Sequence, residues 1–347
     1  MASFEISNRK EMLKFNAMIA SVVWAGWYFL GGDHALTCFV KNWVIGVTMF
    51  FGSMIGGATS EGSGAVAFPV FTKVLHIVPE EARVFCLAIQ SIGMMCASLS
   101  IIYSRVKVEW RAIRWAAPAG MAGLVFGTYC VLPYITPALV KVSFTVMLSS
   151  MAIAIVIMNR GEKSKRHNSI PVFGTKEKAF LVAAGFAGGI MSGLVGCGEN
   201  IATFMAMVLL FRITETVATP TTVILMTLVT IFGFALHALV IGDFTPVIKG
   251  YWLAAVPISC VTGPLGAFLC TLMPRKFIVN LLLTLISIEF VSTVVLVHMS
   301  PAVALTAAAT LAATGLLNWY MCKVDIYCPS KREERVVPRF RPDYATA

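Results

Sequence analysis

The stretch Gly56-Gly57-Ala58-Thr59-Ser60-Glu61-Gly62-Ser63-Gly64 interrupts an apolar segment that runs from residue 41 to residue 76. A second stretch, Gly188-Gly189-Ile190-Met191-Ser192-Gly193-Leu194-Val195-Gly196-Cys197-Gly198-Glu199-Asn200, interrupts residues 178–212 in the same way. Each segment is a long apolar run, a polar glycine-rich break and a shorter apolar run. In bilayer hydrocarbon an unpaired backbone amide costs several kcal/mol, so irregular backbone persists there only against protein or a watery cavity. Two such breaks, matched between two halves of a chain, point to a transporter binding site.

The composition supports a membrane reading. Mean hydropathy is +0.82, 58% of residues are hydrophobic and only 13% are charged. A soluble fold of 347 residues would have too little charge to cover its surface. The net charge of +10 belongs to loops at a membrane face rather than to nucleic-acid binding. The nine cysteines form no CxxC pair and no Cys/His cluster at metal spacing. Cys86, Cys96, Cys260 and Cys270 lie in apolar runs and read as small buried hydrophobes. Neither a metal nor another cofactor is expected. Residues 15–30 are apolar but lack a cleavage site, so no cleavable signal peptide is expected.

Outside the two broken segments, helix-length apolar runs cover residues 15–31, 79–104, 112–132, 137–158, 214–242, 250–273, 277–297 and 302–321. Crossing ~30 Å of hydrocarbon takes ~20 residues. If each broken segment enters and leaves on one face, all Lys and Arg except Lys41, Lys73, Arg83, Lys141 and Lys249 collect on one side of the membrane. That bias places both termini in the cytoplasm and makes the broken segments re-entrant hairpins. The halves align without gaps. A single offset carries Gly57 onto Gly193, Gly62 onto Gly198, Phe68 onto Phe204 and Ala82 onto Ala218. A slightly longer one carries Ala116 onto Ala255, Pro118 onto Pro257 and Gly127 onto Gly266. With three crossings after each hairpin, the second copy starts on the face opposite the first.

The expected fold is thus an all-α polytopic membrane protein made of two inverted-topology repeats. Each repeat is a re-entrant helical hairpin plus three transmembrane helices, and one extra helix stands at each end. Its parts are 1–40 (first helix), 41–159 (first repeat), 160–177 (basic cytoplasmic linker), 178–297 (second repeat), 298–322 (last helix) and 323–347 (cytoplasmic tail).

A helix that begins mid-membrane directs unpaired N–H groups and the positive end of its dipole into the break, where an anion can sit. The candidate binding residues are Thr59, Ser60, Glu61, Gly62, Ser63 and Gly64 in the first break, and Gly196, Cys197, Gly198, Glu199 and Asn200 in the second. Capping and close packing account for the same residue types. The next helix of each half adds Gln90 and Ser91, and Thr219, Thr221 and Thr222 around Pro220. Local back-bonding to carbonyls freed by the proline competes with a binding role there. Neither break holds a Lys or Arg. Glu61, Glu199, His237 and Glu289 are ionisable groups in apolar surroundings, where a carboxylate needs a cavity, a partner or a proton. Glu61 and Glu199 are candidates for proton coupling, whereas His237 and Glu289 read as interhelical hydrogen-bonding groups.

The duplicated break resembles that of the TauE/SafE sulfite-exporter family. The resemblance rests on Ser192-Gly193-x-x-Gly196-x-Gly198, with the degenerate copy Thr59-Ser60-Glu61-Gly62-Ser63-Gly64, and covers residues 41–297. It implies secondary transport, commonly outward across a bacterial inner membrane, of a small sulfur-containing anion such as sulfite or a sulfoacetate-like organosulfonate. The two glutamates depart from the glycine-rich pattern. Two rival readings are a passive anion channel and an intramembrane serine protease using Ser63 and His237. Against the protease, Glu61 stands where a Gly-x-Ser-Gly motif needs its first glycine.

Overall fold

The computed structural model describes residues 2–160, 166–273 and 275–296, with scattered positions between 301 and 316. The described residues form helices and short connections, with no strand among them. The helices are α1 (Ala2–Lys41), α2 (Trp43–Ala58), α3 (Gly64–Val74), α4 (Pro79–Tyr103), α5 (Trp110–Tyr134) and α6 (Pro137–Arg160). They continue as α7 (Thr175–Val195), α8 (Glu199–Leu210), α9 (Glu215–Ile241), α10 (Pro246–Leu272) and α11 (Arg275–Leu296). Seven are long and apolar enough to cross a membrane. The chain is an all-α polytopic membrane protein. The expected last helix and the tail at 323–347 lie largely or wholly outside the described residues, as do residues 161–165 of the linker.

The first helix breaks where its apolar run was expected to end: Gly32 (φ 49°, ψ −139°) is non-helical, and α1 resumes beyond this kink as a second helical piece that runs to Lys41. It is held along α10, where Trp24 Nε1 donates to the Pro257 carbonyl and Trp27 Nε1 to the Leu253 carbonyl, both at 2.8 Å. The second bond has a local cause. Pro257 has no N–H to offer the carbonyl one turn earlier, so a buried acceptor would otherwise stand alone.

The same backbone events recur at matching positions of the two broken segments. Val70–Val74 and Ala206–Leu210 are both π-helical. Ile77 N–H bonds the Phe71 carbonyl and Ile213 N–H the Met207 carbonyl, each at 2.9 Å. His76 and Arg212 share a φ of 54°, and α4 and α9 start at Pro79 and Glu215.

Helix directions follow from the contacts. A Cβ on Gly46 would meet Ile258 of α10 and one on Gly57 would meet Gly263, so α2 and α10 run parallel. Phe71, near the end of α3, packs edge-on to Tyr251, at the start of α10. The end of α3 has therefore returned to the level where α2 began. A helix rises about 1.5 Å per residue, so spanning ~30 Å of hydrocarbon takes ~20 residues. Helix α3, Gly64–Val74, is too short and reaches only about half-way. The other broken segment behaves alike. Gly185 faces Ala116 and Gly189 faces Gly120, so α7 runs parallel to α5. Beyond α8, Thr214 N–H and the Arg212 carbonyl bond His167, beside the Ile170–Glu109 contact that lies near the starts of α5 and α7. Call the α2–α3 unit hairpin A and the α7–α8 unit hairpin B; each opens at a mouth where it enters and leaves.

Helices α4 and α9 lie antiparallel, with Ser98 Oγ 2.8 Å from Thr227 Oγ1 and Leu87 near Gly233. The mouths of the two hairpins consequently fall at opposite ends of this pair. The long arm of each hairpin packs on a helix of the other half along a seam of small residues. A Cβ at Gly57, Gly123, Gly189 or Gly266 would land on a backbone carbonyl across the seam. Such contact lets helices approach backbone to backbone, the usual basis of helix association in lipid.

Candidate functional site

The two breaks meet in the middle of the molecule. In the first, Gly62 turns the chain with φ 79°; in the second, Gly196 (φ 86°) and Gly198 (φ 144°) do so. L side chains are strained in this region, which gives these glycines their place. Asn200 Nδ2 donates across the gap to the Ser60 carbonyl at 2.6 Å. Gly64 lies against Cys197, and Gly62 against the Asn200 amide and Met226. Thr59, Ser60, Glu61, Ser63, Cys197, Glu199 and Asn200 are each no more than 2% exposed.

Some of the backbone amides expected to be bare have partners. Ala65 N–H bonds the Gly62 carbonyl, Val66 N–H the Ser63 carbonyl and Ile201 N–H the Gly198 carbonyl. Glu199 N–H is capped by Ser192 Oγ at 3.0 Å, and Glu61 N–H reaches Thr59 Oγ1 at 3.3 Å. The polar side chains at the tips are less well paired. Ser60 Oγ, Ser63 Oγ, one oxygen of Glu61, Gln90 Oε1, Asn200 Oδ1 and one oxygen of Glu199 are buried without a hydrogen bond. Buried polar atoms are nearly always paired, so these side chains, gathered around the two tips, call for partners beyond the protein itself.

A family model described as sulfite exporter TauE/SafE matches residues 44–293. The chain belongs to that family. The match runs from the start of α2 to Thr293 of α11, so it takes in both hairpins and leaves out α1. Among curated proteins and solved structures, none matches the chain. Membership makes this a membrane transporter of the sulfite-exporter type.

In this TauE/SafE member the second polar cluster divides. Gln90 joins the tips: its Nε2 donates to the Gly196 carbonyl at 2.8 Å and to the Cys86 carbonyl at 2.9 Å. Ser91 Oγ donates locally to the Ala88 carbonyl, and Thr222 Oγ1 to that of Thr219. Thr221 is engaged elsewhere; its hydroxyl donates to the Val217 carbonyl and accepts from Glu109 N–H at 2.9 Å. It anchors the turn between α4 and α5. Met226 is the counterpart of Gln90 in the second half and covers Gly62 as Gln90 covers Gly64. Nothing in the sequence singles it out.

The ionisable groups are sorted as well. His237 Nδ1 pairs with Asp243, six residues along its own chain, and not with another helix or with Ser63. Glu289 does bond across helices, to Lys73 Nζ at 2.5 Å and Thr145 Oγ1 at 3.0 Å. Lys73, one of the few basic residues assigned to the membrane face opposite the others, is 7% exposed and faces α11. At the mouth of hairpin B, Glu109 accepts from Arg111 Nε at 2.7 Å and Ile170 N–H at 3.0 Å. Burial pushes the Glu109 carboxyl up, but these hydrogen bonds and the Arg111 charge outweigh it and hold it below its ordinary value.

Proposed function

We propose that the protein carries a small sulfur-containing anion, sulfite or a compact organosulfonate, outward across a bacterial inner membrane by alternating access. The substrate sits between the hairpin tips. The hydroxyls of Ser60 and Ser63 and the amide-bearing starts of α3 and α8 hold it, with Gln90 and Asn200 closing the sides. The observation that carries this reading is the contact between the tips, where Asn200 meets Ser60 amid unpaired buried polar atoms. No Lys or Arg lies in either break, which suits a carrier: dipoles and hydroxyls hold an anion less tenaciously than a full positive charge would. The opposed mouths and the shared register of the two halves support two inverted repeats, with each hairpin rocking about the tips together with the helix it packs on. The basic residues beside Glu109 and the linker support the mouth of hairpin B as cytoplasmic.

Counterflow in proteoliposomes tests the proposal. Labelled sulfite uptake should be stimulated by unlabelled sulfite trapped inside. Ser63→Leu and Asn200→Leu should abolish uptake while the protein remains monodisperse. Uptake without stimulation from the far side would indicate a pore, and wild-type uptake by both variants would remove the tips from the substrate path.

A further inference from the structure

Glu61 and Glu199 occupy comparable tips, yet their surroundings differ. Glu199 accepts from Thr203 Oγ1 at 3.1 Å and packs on Gly120, where even a Cβ would collide with its carboxyl. Glu61 instead lines a cavity of about 200 Å³ between α3 and α11. On α3 its wall is Val66, Val70 and Val74, one turn apart; on α11 it is Leu285, Glu289 and Leu296. The cavity is thus a slot leading from the tip of hairpin A toward its mouth.

Partway along stands Lys73. Its ammonium donates to Glu289 Oε1 (2.5 Å), Thr293 Oγ1 (2.7 Å) and Ser292 Oγ (3.1 Å). These three bonds use all its protons. The matching position of the second half is Leu209, so hairpin B has no equivalent pair. A carboxyl within the hydrocarbon region that has an unbonded oxygen and faces a cavity is a functional group by default.

We infer that this slot is the route by which Glu61 exchanges protons with water at the mouth of hairpin A, and that the Lys73–Glu289 pair gates it. The O–H bond of the Glu61 acid breaks, its proton passes to slot water, and return reverses both steps. The charged and titratable groups around Glu61 are Glu289 on α11, Lys73 on α3 and Cys197 on the opposite tip. Lys141 of α6 is turned to the Thr72 carbonyl at 3.2 Å. When Glu61 is ionised, two carboxylates compete for one ammonium and the grip of α3 on α11 slackens; when Glu61 is protonated, Lys73 returns wholly to Glu289. Glu199, sealed against Gly120, plays no part in exchange. Use of this proton to drive transport rests on the carrier reading, but the exchange itself does not.

Infrared difference spectra of the protein in nanodiscs, taken across pH steps, test the inference. A titrating carboxylic-acid band should be present, vanish in Glu61→Gln and survive in Glu199→Gln. Lys73→Met should move its midpoint by at least one pH unit, a tenfold change in proton concentration. A band that survives Glu61→Gln, or a midpoint indifferent to Lys73→Met, overturns the inference. If Glu61→Gln does not fold, Val70→Trp fills the slot and should slow deuterium exchange of the acid band at least tenfold; unchanged exchange overturns it. A titrating Glu61 in a protein without sulfite counterflow would sink the carrier reading alone, and counterflow without titration would sink this inference alone.

Discussion

Separating Lys73 from Glu289 gives a prediction whose size can be worked out from the contacts. The two side chains are 3% and 8% exposed. Removing one partner of a buried pair leaves an uncompensated charge and costs about 3–5 kcal/mol, whereas replacing both with apolar groups is about neutral. Here the neighbours favour that second outcome. Without the pair, Thr145 Oγ1 and Thr293 Oγ1 still bond each other at 2.6 Å, and Ser292 and Thr293 still bond the Glu289 backbone carbonyl at 2.9 Å. Lys73→Met and Glu289→Met should therefore each destabilise by about 3–5 kcal/mol, and Lys73→Met/Glu289→Met by at most about 2 kcal/mol. The coupling, at least about 4 kcal/mol, exceeds the roughly 0.5–3 kcal/mol usual for neighbours. Denaturant titration in mixed micelles measures all three. Single variants within about 1 kcal/mol of wild type, or additive losses in the double variant, would refute the reasoning.

Two further outcomes can be measured in the same way. Gly57→Ala places a methyl on the Gly263 carbonyl and should cost about 1–3 kcal/mol. Gly26→Ala, with nothing within 4 Å, should gain up to about 1 kcal/mol from helix propensity; equal effects would show that the α2–α10 seam is not tight. The folded-state value of the Glu109 carboxyl is depressed, so its contribution is present above the ordinary carboxylate range and is lost as pH falls through the depressed value. The stability advantage of wild type over Glu109→Gln should accordingly be seen at neutral pH and vanish in acid, and a pH-independent difference would contradict it.

Hydropathy made the fold legible because lipid imposes it: the broken stretches and most helix limits could be read to within a few residues. The stop at Gly31-Gly32 was legible too, but not the helical piece that resumes after the non-helical Gly32 and runs to Lys41. At the tips the residue types were legible but the bonding was not. Ser192 shares a break with Glu199 and caps it, and only coordinates separate that role from anion binding. The burial of Lys73 was not legible for a different reason. Its partner Glu289 is far away in the chain, on α11, and nothing local to Lys73 signals a counterion. Thr221 looked like a companion of Gln90 because both stand one helix past a break, yet its level on α9 delivers it to Glu109 instead.

The seams between hairpin arms and their hosts bear on how such a molecule can move. Arm α2 belongs to the first half of the chain but rides on α10 of the second, and arm α7, of the second half, rides on α5 of the first. A covalent half is therefore not a mechanical half. Shifting α10 carries the opposite half's hairpin with it, and cutting the linker would leave two chains still clasped together.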